Sequence, residues 1–142
     1  MTERDTPRIV PRRFNPPELY SGVPYDYASA APAGGIVFTA GACPLDADGA
    51  VVAPGDFEAQ TRQTLDNLAT VLAEATSSFE QVLKTTVYVA AEDRSDMVAV
   101  FDLVEERFAP TRPPSTLLGV SLLGYPEQLV EIEAIALRSP GQ

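Results

Sequence analysis

The chain has 142 residues and is strongly acidic, with 20 Asp and Glu against 10 Lys and Arg and a formal net charge of −10 at pH 7. This length suits one domain with a single hydrophobic core. A strongly negative charge opposes binding to phosphate backbones and to anionic lipid surfaces, because both require a basic protein surface. We therefore expect neither a nucleic acid nor a membrane as a partner.

Two residue types that often carry catalysis are scarce or absent. The sequence has no histidine and a single cysteine, Cys43, which excludes a Ser-His-Asp triad, a Cys-His pair and an internal disulfide. Acid–base chemistry would then depend on carboxylates, tyrosines, Lys84, Cys43 or backbone groups. No apolar run approaches the roughly 20 residues of a membrane-spanning helix, and the first residues lack the apolar stretch of a secretory signal. We expect a cytoplasmic protein.

The N-terminal third is predicted to contain an arm and a short hairpin. Residues 1–20 combine four prolines with scattered charges, which is typical of an extended arm, and residues 21–142 are predicted to form the single domain. The β-branched and aromatic residues 36–39 predict a strand. Residues 46–49, Asp-Ala-Asp-Gly, predict a turn, because Asp-Gly supplies the positive φ that hairpin turns need. Residues 50–52 are predicted to form the returning strand.

Two helices are predicted in the middle of the chain. The first begins at Asp56, a favourable N-cap, and continues to about Ala75 with apolar residues at a 3.6-residue period. Residues 78–81 suggest a short capped turn. The second helix begins near Ser95 and ends before the two prolines at 113–114, which cannot continue it.

Three later strands complete the predicted fold, at residues 83–90, 115–123 and 129–137. Within the first of these, one face is predicted to carry Leu83, Thr85, Val87 and Val89. The element order predicts an α+β fold: a two-layer sandwich of a mixed β-sheet with two helices on one face. The last strands are apolar on both sides, so we expect self-association to cover the second face of the sheet.

The closing strand carries the candidate catalytic carboxylates. Alternation along residues 129–137 places Glu131 and Glu133 on one face, together with apolar side chains. A carboxylate in apolar surroundings is suited to act as a general acid or base at neutral pH. Alternatively, both glutamates face water on an exposed sheet surface, and the pattern alone leaves both interpretations open.

Several segments resemble the RidA/YjgF family of imine- and enamine-processing proteins. They are FTAGACPLD (38–46), QTRQTLDNLATVLAEA (60–75), VLKTTVYV (82–89) and VEIEAIA (130–136). The resemblance implies a homotrimer of chorismate-mutase-like subunits that binds a small-molecule ligand in each inter-subunit cleft. It also implies hydrolysis of a 2-iminoacid, or its enamine tautomer, to a 2-oxoacid and ammonia, with neither a metal nor a cofactor.

Three residues match positions that the family uses in its cleft. Glu131 matches the glutamate that orients the attacking water, and Tyr25 matches the tyrosine of the family's GPYSQA segment. Gly41 matches the glycine of the SGQIP segment. Cys43 falls where that segment usually has an aliphatic residue, so we interpret it as a packing residue.

The family's substrate-binding arginine has no counterpart, because the resemblance places Ser115 at that position. Leu117 replaces a frequent cysteine, and Phe101 stands where many members have an asparagine. A serine hydroxyl cannot supply a forked, charged clamp for a carboxylate, and the loss removes on the order of 1.5–3 kcal/mol per hydrogen bond. Arg112, three residues upstream, either replaces the clamp or is a solvated loop charge.

The sequence therefore predicts a divergent Rid-type hydrolase whose substrate is an imine or enamine that need not carry a free carboxylate. The predicted catalytic residues are Glu131 and Tyr25. The predicted substrate-binding residues are Ser115, Gly41, Phe101, Leu117 and Arg112. The alternative is a non-catalytic trimeric small-molecule binder or regulator. Ribonuclease activity, which has been attached to this family by name, is disfavoured by the net charge of −10.

Overall fold

Six strands form one mixed sheet in the computed structural model, which describes residues 12–23, 26–31 and 34–140. The strands are β1 (Arg12–Phe14), β2 (Ala28–Ala30), β3 (Ile36–Thr39), β4 (Val82–Val89), β5 (Ser115–Gly119) and β6 (Val130–Leu137). Their order across the sheet is β1-β2-β3-β6-β4-β5. β4 and β5 run parallel, and the other neighbouring pairs are antiparallel.

Two helices, α1 (Phe57–Glu74) and α2 (Arg94–Phe108), cover one face of this sheet. Each follows an aspartate, Asp56 or Asp93, whose carboxylate accepts a hydrogen bond from a backbone N–H of the first turn. Both helices begin within one residue of their predicted start. The Asp56 cap was predicted, since capping chemistry is local, but the Asp93 cap was not. The predicted α+β sandwich is confirmed. Among the described residues, no helix is long and apolar enough to cross a membrane.

The core lies between the helices and the sheet. The side chains of β6 that face the helices are buried: Val130, Ile132, Ala134 and Ala136. The opposite face, which we call the open face, exposes several large apolar side chains: Ile36, Phe38 and Leu137. None of the described elements covers it.

Two predicted strands are shorter in the structure. The turn at residues 46–49 is present, but the hairpin is reduced to a single bridge between Leu45 and Val51, because Pro44 has no N–H to extend the pairing. The strand predicted to reach residue 123 ends at Gly119. Its neighbour β4 ends at Val89, which pairs with Gly119, so the following residues have no strand to pair with.

The prediction that Leu83 shares a face with Thr85 is wrong. The register between β4 and β6 shifts between Val82 and Lys84, and this irregularity moves Leu83 to an exposed position, whereas Thr85 is buried. The short turn predicted at 78–81 is a 3₁₀ helix, but the Ser78 side chain makes no capping hydrogen bond.

Part of the predicted arm forms a strand of the sheet. Arg12–Phe14 forms the edge strand β1, and the Phe14 side chain is buried in the core. Residues 1–11 lie outside the part of the chain that the structure describes.

Candidate active site

An irregularity between β3 and β6 brings Gly41 against Glu131. The pairs on either side of it leave residues 39–41 opposite only residues 133–134 of β6, which is the one-residue excess of a β-bulge. A Cβ built on Gly41 would stand 2.6 Å from the carboxyl carbon of Glu131 and 2.8 Å from its Oε2. Only glycine fits at this position without displacing the carboxylate.

Two buried side chains donate hydrogen bonds to the same oxygen of Glu131. The Cys43 Sγ lies 3.1 Å and the Gln128 Nε2 lies 3.4 Å from Oε1. Cys43 and Gln128 are only 7% and 4% exposed, whereas Glu131 itself is half-buried. Oε2, beside Gly41, has no hydrogen-bond partner among the described residues. In the carboxylate, Oε1 is therefore held by two hydrogen bonds, whereas Oε2 is open, that is, without a donor from the described residues.

Two buried amides of α1 fix the loops that carry these donors. The Nδ2 of Asn67 donates to two carbonyls of residues 43–45, both at 2.9 Å. The Gln60 amide does the same for residues 127–129: its Nε2 donates to a carbonyl at 3.0 Å and its Oε1 accepts an N–H at 2.8 Å. The helix thereby sets the positions of both segments beside Glu131.

Tyr20 and Tyr27 lie next to Cys43. The hydroxyl of Tyr27 donates a 2.6 Å hydrogen bond to the carbonyl of Tyr20. Burial, followed by the neighbouring Tyr125, Cys43 and Tyr20, raises the pKa of Tyr27 to about 12. Tyr27 is therefore a neutral hydrogen-bond donor at physiological pH.

The second carboxylate of the strand has a separate environment. Glu133 accepts a 2.8 Å hydrogen bond from the Tyr88 hydroxyl on the open face. That hydrogen bond, followed by burial, raises the pKa of Tyr88. Among the described residues there is no group of three or more Cys, Asp or Glu that could hold a metal ion.

Ser115 and Glu131 lie on opposite faces of the sheet. Ser115 pairs with Thr85, which is buried under the helices, and the Thr85 hydroxyl donates to the Ser115 Oγ at 2.6 Å. Glu131 pairs instead with Tyr88, which points to the open face. Within one chain the two side chains therefore cannot contact the same small ligand.

A cavity of about 510 Å³ lies beside Ser115, between α2 and the segment that leads into β5. Phe101 and Phe108 form an apolar wall, and Arg112 lines the cavity with no ion pair to any described residue. Leu117 does not line this cavity; it is half-buried and packs against the core.

Five of the seven predicted site residues fall into two groups, and Leu117 belongs to neither. Glu131 and Gly41 meet at the bulge, whereas the cavity brings together Ser115, Phe101 and Arg112. Tyr25 lies outside the described residues.

Two contributors to the Glu131 site were not predicted from the sequence. Gln128 precedes the alternating strand with no pattern to mark it. Cys43 is buried as expected of a packing residue, but its thiol also donates to Glu131. The one sequence signal was the placement of Cys43 two residues after Gly41.

The comparisons with known proteins agree with this architecture. Residues 21–138 match the family model described as Endoribonuclease L-PSP. A RutC family protein from Pyrococcus horikoshii is 36% identical over 112 residues, which cover 79% of this chain and 86% of the relative. The 3-aminoacrylate deaminase RutC from Acinetobacter baylyi is 34% identical over 110 residues, which cover 78% and 85%.

A solved structure shares the same fold. YyfA from Yersinia pestis, a protein of the conserved Rid family, superposes with a TM-score of 0.80 and 30% identity, covering 90% of this chain and 99% of that chain. Because the family model spans most of the sequence and relatives above 30% identity cover more than three quarters of it, the chain belongs to the Rid (RidA/YjgF) family.

Proposed function

We propose that this protein is a Rid-type hydrolase that deaminates a small reactive enamine or imine, other than a standard 2-iminoacid, in the cytoplasm. The products would be a carbonyl compound and ammonia. The family includes such deaminases, as the A. baylyi relative named 3-aminoacrylate deaminase illustrates. The observation that carries the proposal is the Glu131 carboxylate, which is held at one oxygen and open at the other.

The chemistry needs little more than a positioned base. An imine carbon is electrophilic, so a correctly placed water can attack it directly. Glu131 takes a proton from the water as the water oxygen bonds to the imine carbon, and this proton passes to the nitrogen to give a carbinolamine. The hydroxyl of the carbinolamine then loses its proton and the nitrogen gains one, so the carbon–nitrogen bond breaks, which releases ammonia and leaves the carbonyl compound.

The substrate class follows from the cavity at Ser115. No guanidinium stands at position 115, and the hydroxyl there is already engaged with Thr85. Phe101 and Phe108 form an apolar wall that suits a hydrophobic substituent next to the imine carbon, and Arg112 is the one cation among the residues that line the cavity. Arg112 and Leu117 are proposed to line the substrate's approach.

A homotrimer would unite the two groups of site residues. Because Ser115 and Glu131 face opposite sides of one sheet, a single ligand reaches both only if they come from different copies. The open face supplies a reason to associate, since Phe38 and Leu137 are about half exposed there. We propose that the ligand lies in the cleft between subunits, and that Tyr25 acts there as a second catalytic residue.

The direct test is ammonia release from imines generated in place. An amino-acid oxidase supplies 2-iminoacids, and an amine oxidase supplies carboxylate-free imines in parallel. We expect turnover of the carboxylate-free imines and its loss in Glu131→Gln, with the assembly unchanged. Glu133→Gln is the matched control on the same strand face and should retain activity. Efficient turnover of 2-iminoacids would contradict the assigned role of Ser115.

The alternative function is a non-catalytic, trimeric small-molecule-binding or regulatory protein. The observation that favours it is the serine in place of the clamping arginine. A binder would release no ammonia from any imine, but its ligand would raise the unfolding temperature. Screening small carbonyl compounds and amino acids for that rise separates the two functions.

A further inference from the structure

We propose that Cys43 and Gln128 are positioning residues that fix Oε1 of Glu131, so that Oε2 is the oxygen that takes the proton from the attacking water. This inference rests on the proposed function and deepens it. It assigns different roles to the two oxygens of one carboxylate.

Both donors converge on the same oxygen of Glu131. The Cys43 Sγ and the Gln128 Nε2 lie 3.1 Å and 3.4 Å from Oε1, and both side chains are buried. Rotating the carboxylate would break both hydrogen bonds at once, and buried donors left without acceptors are costly. The position of Oε2 is therefore fixed, although Oε2 itself accepts no hydrogen bond from the described residues.

The carboxylate of Glu131 packs directly against the backbone of Gly41. An ideal Cβ at that position would stand 2.8 Å from Oε2, so the absence of a side chain is what allows the carboxylate to take this position. Oε2 has no hydrogen-bond partner among the described residues and is not one of their fully buried unpartnered atoms, so a water can approach this oxygen.

Each donor is itself fixed by further hydrogen bonds. The Gln128 Nε2 also donates to the carbonyl of Val130 at 3.0 Å, and its Oε1 accepts the N–H of Tyr125 at 3.2 Å. The carbonyl of Cys43 accepts from Asn67 at 2.9 Å. Groups fixed by such supporting hydrogen bonds keep a catalytic side chain in its productive geometry.

The segments that carry both donors are held by side chains of the same helix, α1. Gln60 and Asn67 are seven residues apart, which is close to two helical turns, and both are buried on one face. One amide holds residues 127–129 and the other holds residues 43–45. The helix thus fixes both donors relative to Glu131.

A spectroscopic test reads the contact without any substrate. Cys43 is the single cysteine, so the infrared S–H stretching band of the whole protein reports this thiol alone. In Glu131→Gln we expect the band to move to higher frequency, because an amide accepts a weaker hydrogen bond than a carboxylate. Glu133→Gln is the control and should leave it in place. An unmoved band in Glu131→Gln overturns the inference.

The kinetic test compares variants that keep or remove a donor. Cys43→Val and Gln128→Met fill the same space without donating to Oε1. Each should lower kcat by about three- to tenfold, the worth of one such hydrogen bond, while KM changes less than about twofold. Cys43→Ser, which retains a donor, should recover most of the kcat lost in Cys43→Val. Equal loss in the serine and valine variants would assign Cys43 a packing role and overturn the inference.

The two proposals fail differently. If the parent protein releases ammonia from no imine, the proposed function fails, and the proton-taking role of Oε2 fails with it. If the parent is active but the band and the valine-to-serine difference are both absent, this inference alone fails. Unfolding temperatures of all variants show that any loss of kcat occurs in folded protein.

Discussion

Gly41 and Glu131 touch across the bulge between β3 and β6, and the contact leaves no room for a side chain at position 41. An ideal Cβ would lie 2.7 Å from Cγ of Glu131 as well as 2.6 Å from its carboxyl carbon. Real Cβ atoms do not approach other atoms this closely, so any larger residue must displace the glutamate. The glycine therefore determines where the carboxylate can stand.

Gly41→Ala should consequently lower kcat/KM on the preferred imine on the order of ten- to a hundredfold, because small displacements of a catalytic group have effects of that size. Gly124→Ala is the matched control, since a Cβ there meets nothing within 4 Å. The two variants are compared by ammonia release and by thermal unfolding. Equal activity in both would show that the contact does not position Glu131.

Strand alternation was sufficient to place Glu131, but it could not place Ser115 relative to it. Alternation fixes which residues share a face within one strand. It does not relate β5 to β6, because β4 lies between them and an irregular loop connects them. The opposite orientation of Ser115 and Glu131 therefore appeared only with the register of the pairs Thr85–Ser115 and Tyr88–Glu131.

The donors to Glu131 show a second limit of sequence reasoning. Cys43 and Glu131 are 88 residues apart, so their contact depends on how the sheet assembles rather than on a local pattern. The helix cap at Asp56 was predicted, because a cap and its partner lie within one turn, whereas the cap at Asp93 was not. The shift that exposes Leu83 was not predicted either, since the hydrophobic pattern of β4 continues through it.

A guanidinium at position 115 should broaden the substrate range. In Ser115→Arg we expect turnover of 2-iminoacids to rise by about tenfold or more, because a charge-assisted hydrogen bond to a carboxylate contributes about 1.5–3 kcal/mol. Ser115→Gln, of similar reach without the charge, is the control. Both variants lose the contact with Thr85, so an equal response in the two would exclude a charge effect.

The raised pKa of Tyr27 predicts a loss of stability at alkaline pH. The folded state holds this pKa at about 12, compared with 10.0 for an ordinary tyrosine. Its contribution is complete below about pH 10 and is lost as the pH rises towards 12, because the unfolded chain releases the proton first. Urea unfolding at about pH 9 and pH 11.5 should show a smaller fall in Tyr27→Phe than in the parent. An identical fall would assign the effect to other groups.

The amide of Gln60 should contribute measurably to stability. Gln60→Met leaves the N–H of the half-buried Leu129 without its acceptor, and it removes a donor from the carbonyl of Glu127, which is an exposed residue. A buried group left unsatisfied costs about 1–3 kcal/mol. We expect the free energy of unfolding, measured in urea, to fall by about 2 kcal/mol or more. Arg62→Met, on the exposed side of the same helix, removes only a surface ion pair with Glu58 and should cost less than about 1 kcal/mol.

The open face supplies the last prediction, because its apolar side chains would be covered in the proposed trimer. Phe38 and Val98 are exposed to almost the same extent, at 53% and 54%, but Phe38 lies on the open face and Val98 lies on α2. Phe38→Asp should therefore dissociate the assembly, since an unpaired charge in an apolar interface is strongly unfavourable, whereas Val98→Asp should leave it intact. Light scattering gives the mass of each, and circular dichroism confirms that both are folded. A parent protein that is monomeric, or a Phe38→Asp variant that assembles normally, would exclude this face as the contact between copies.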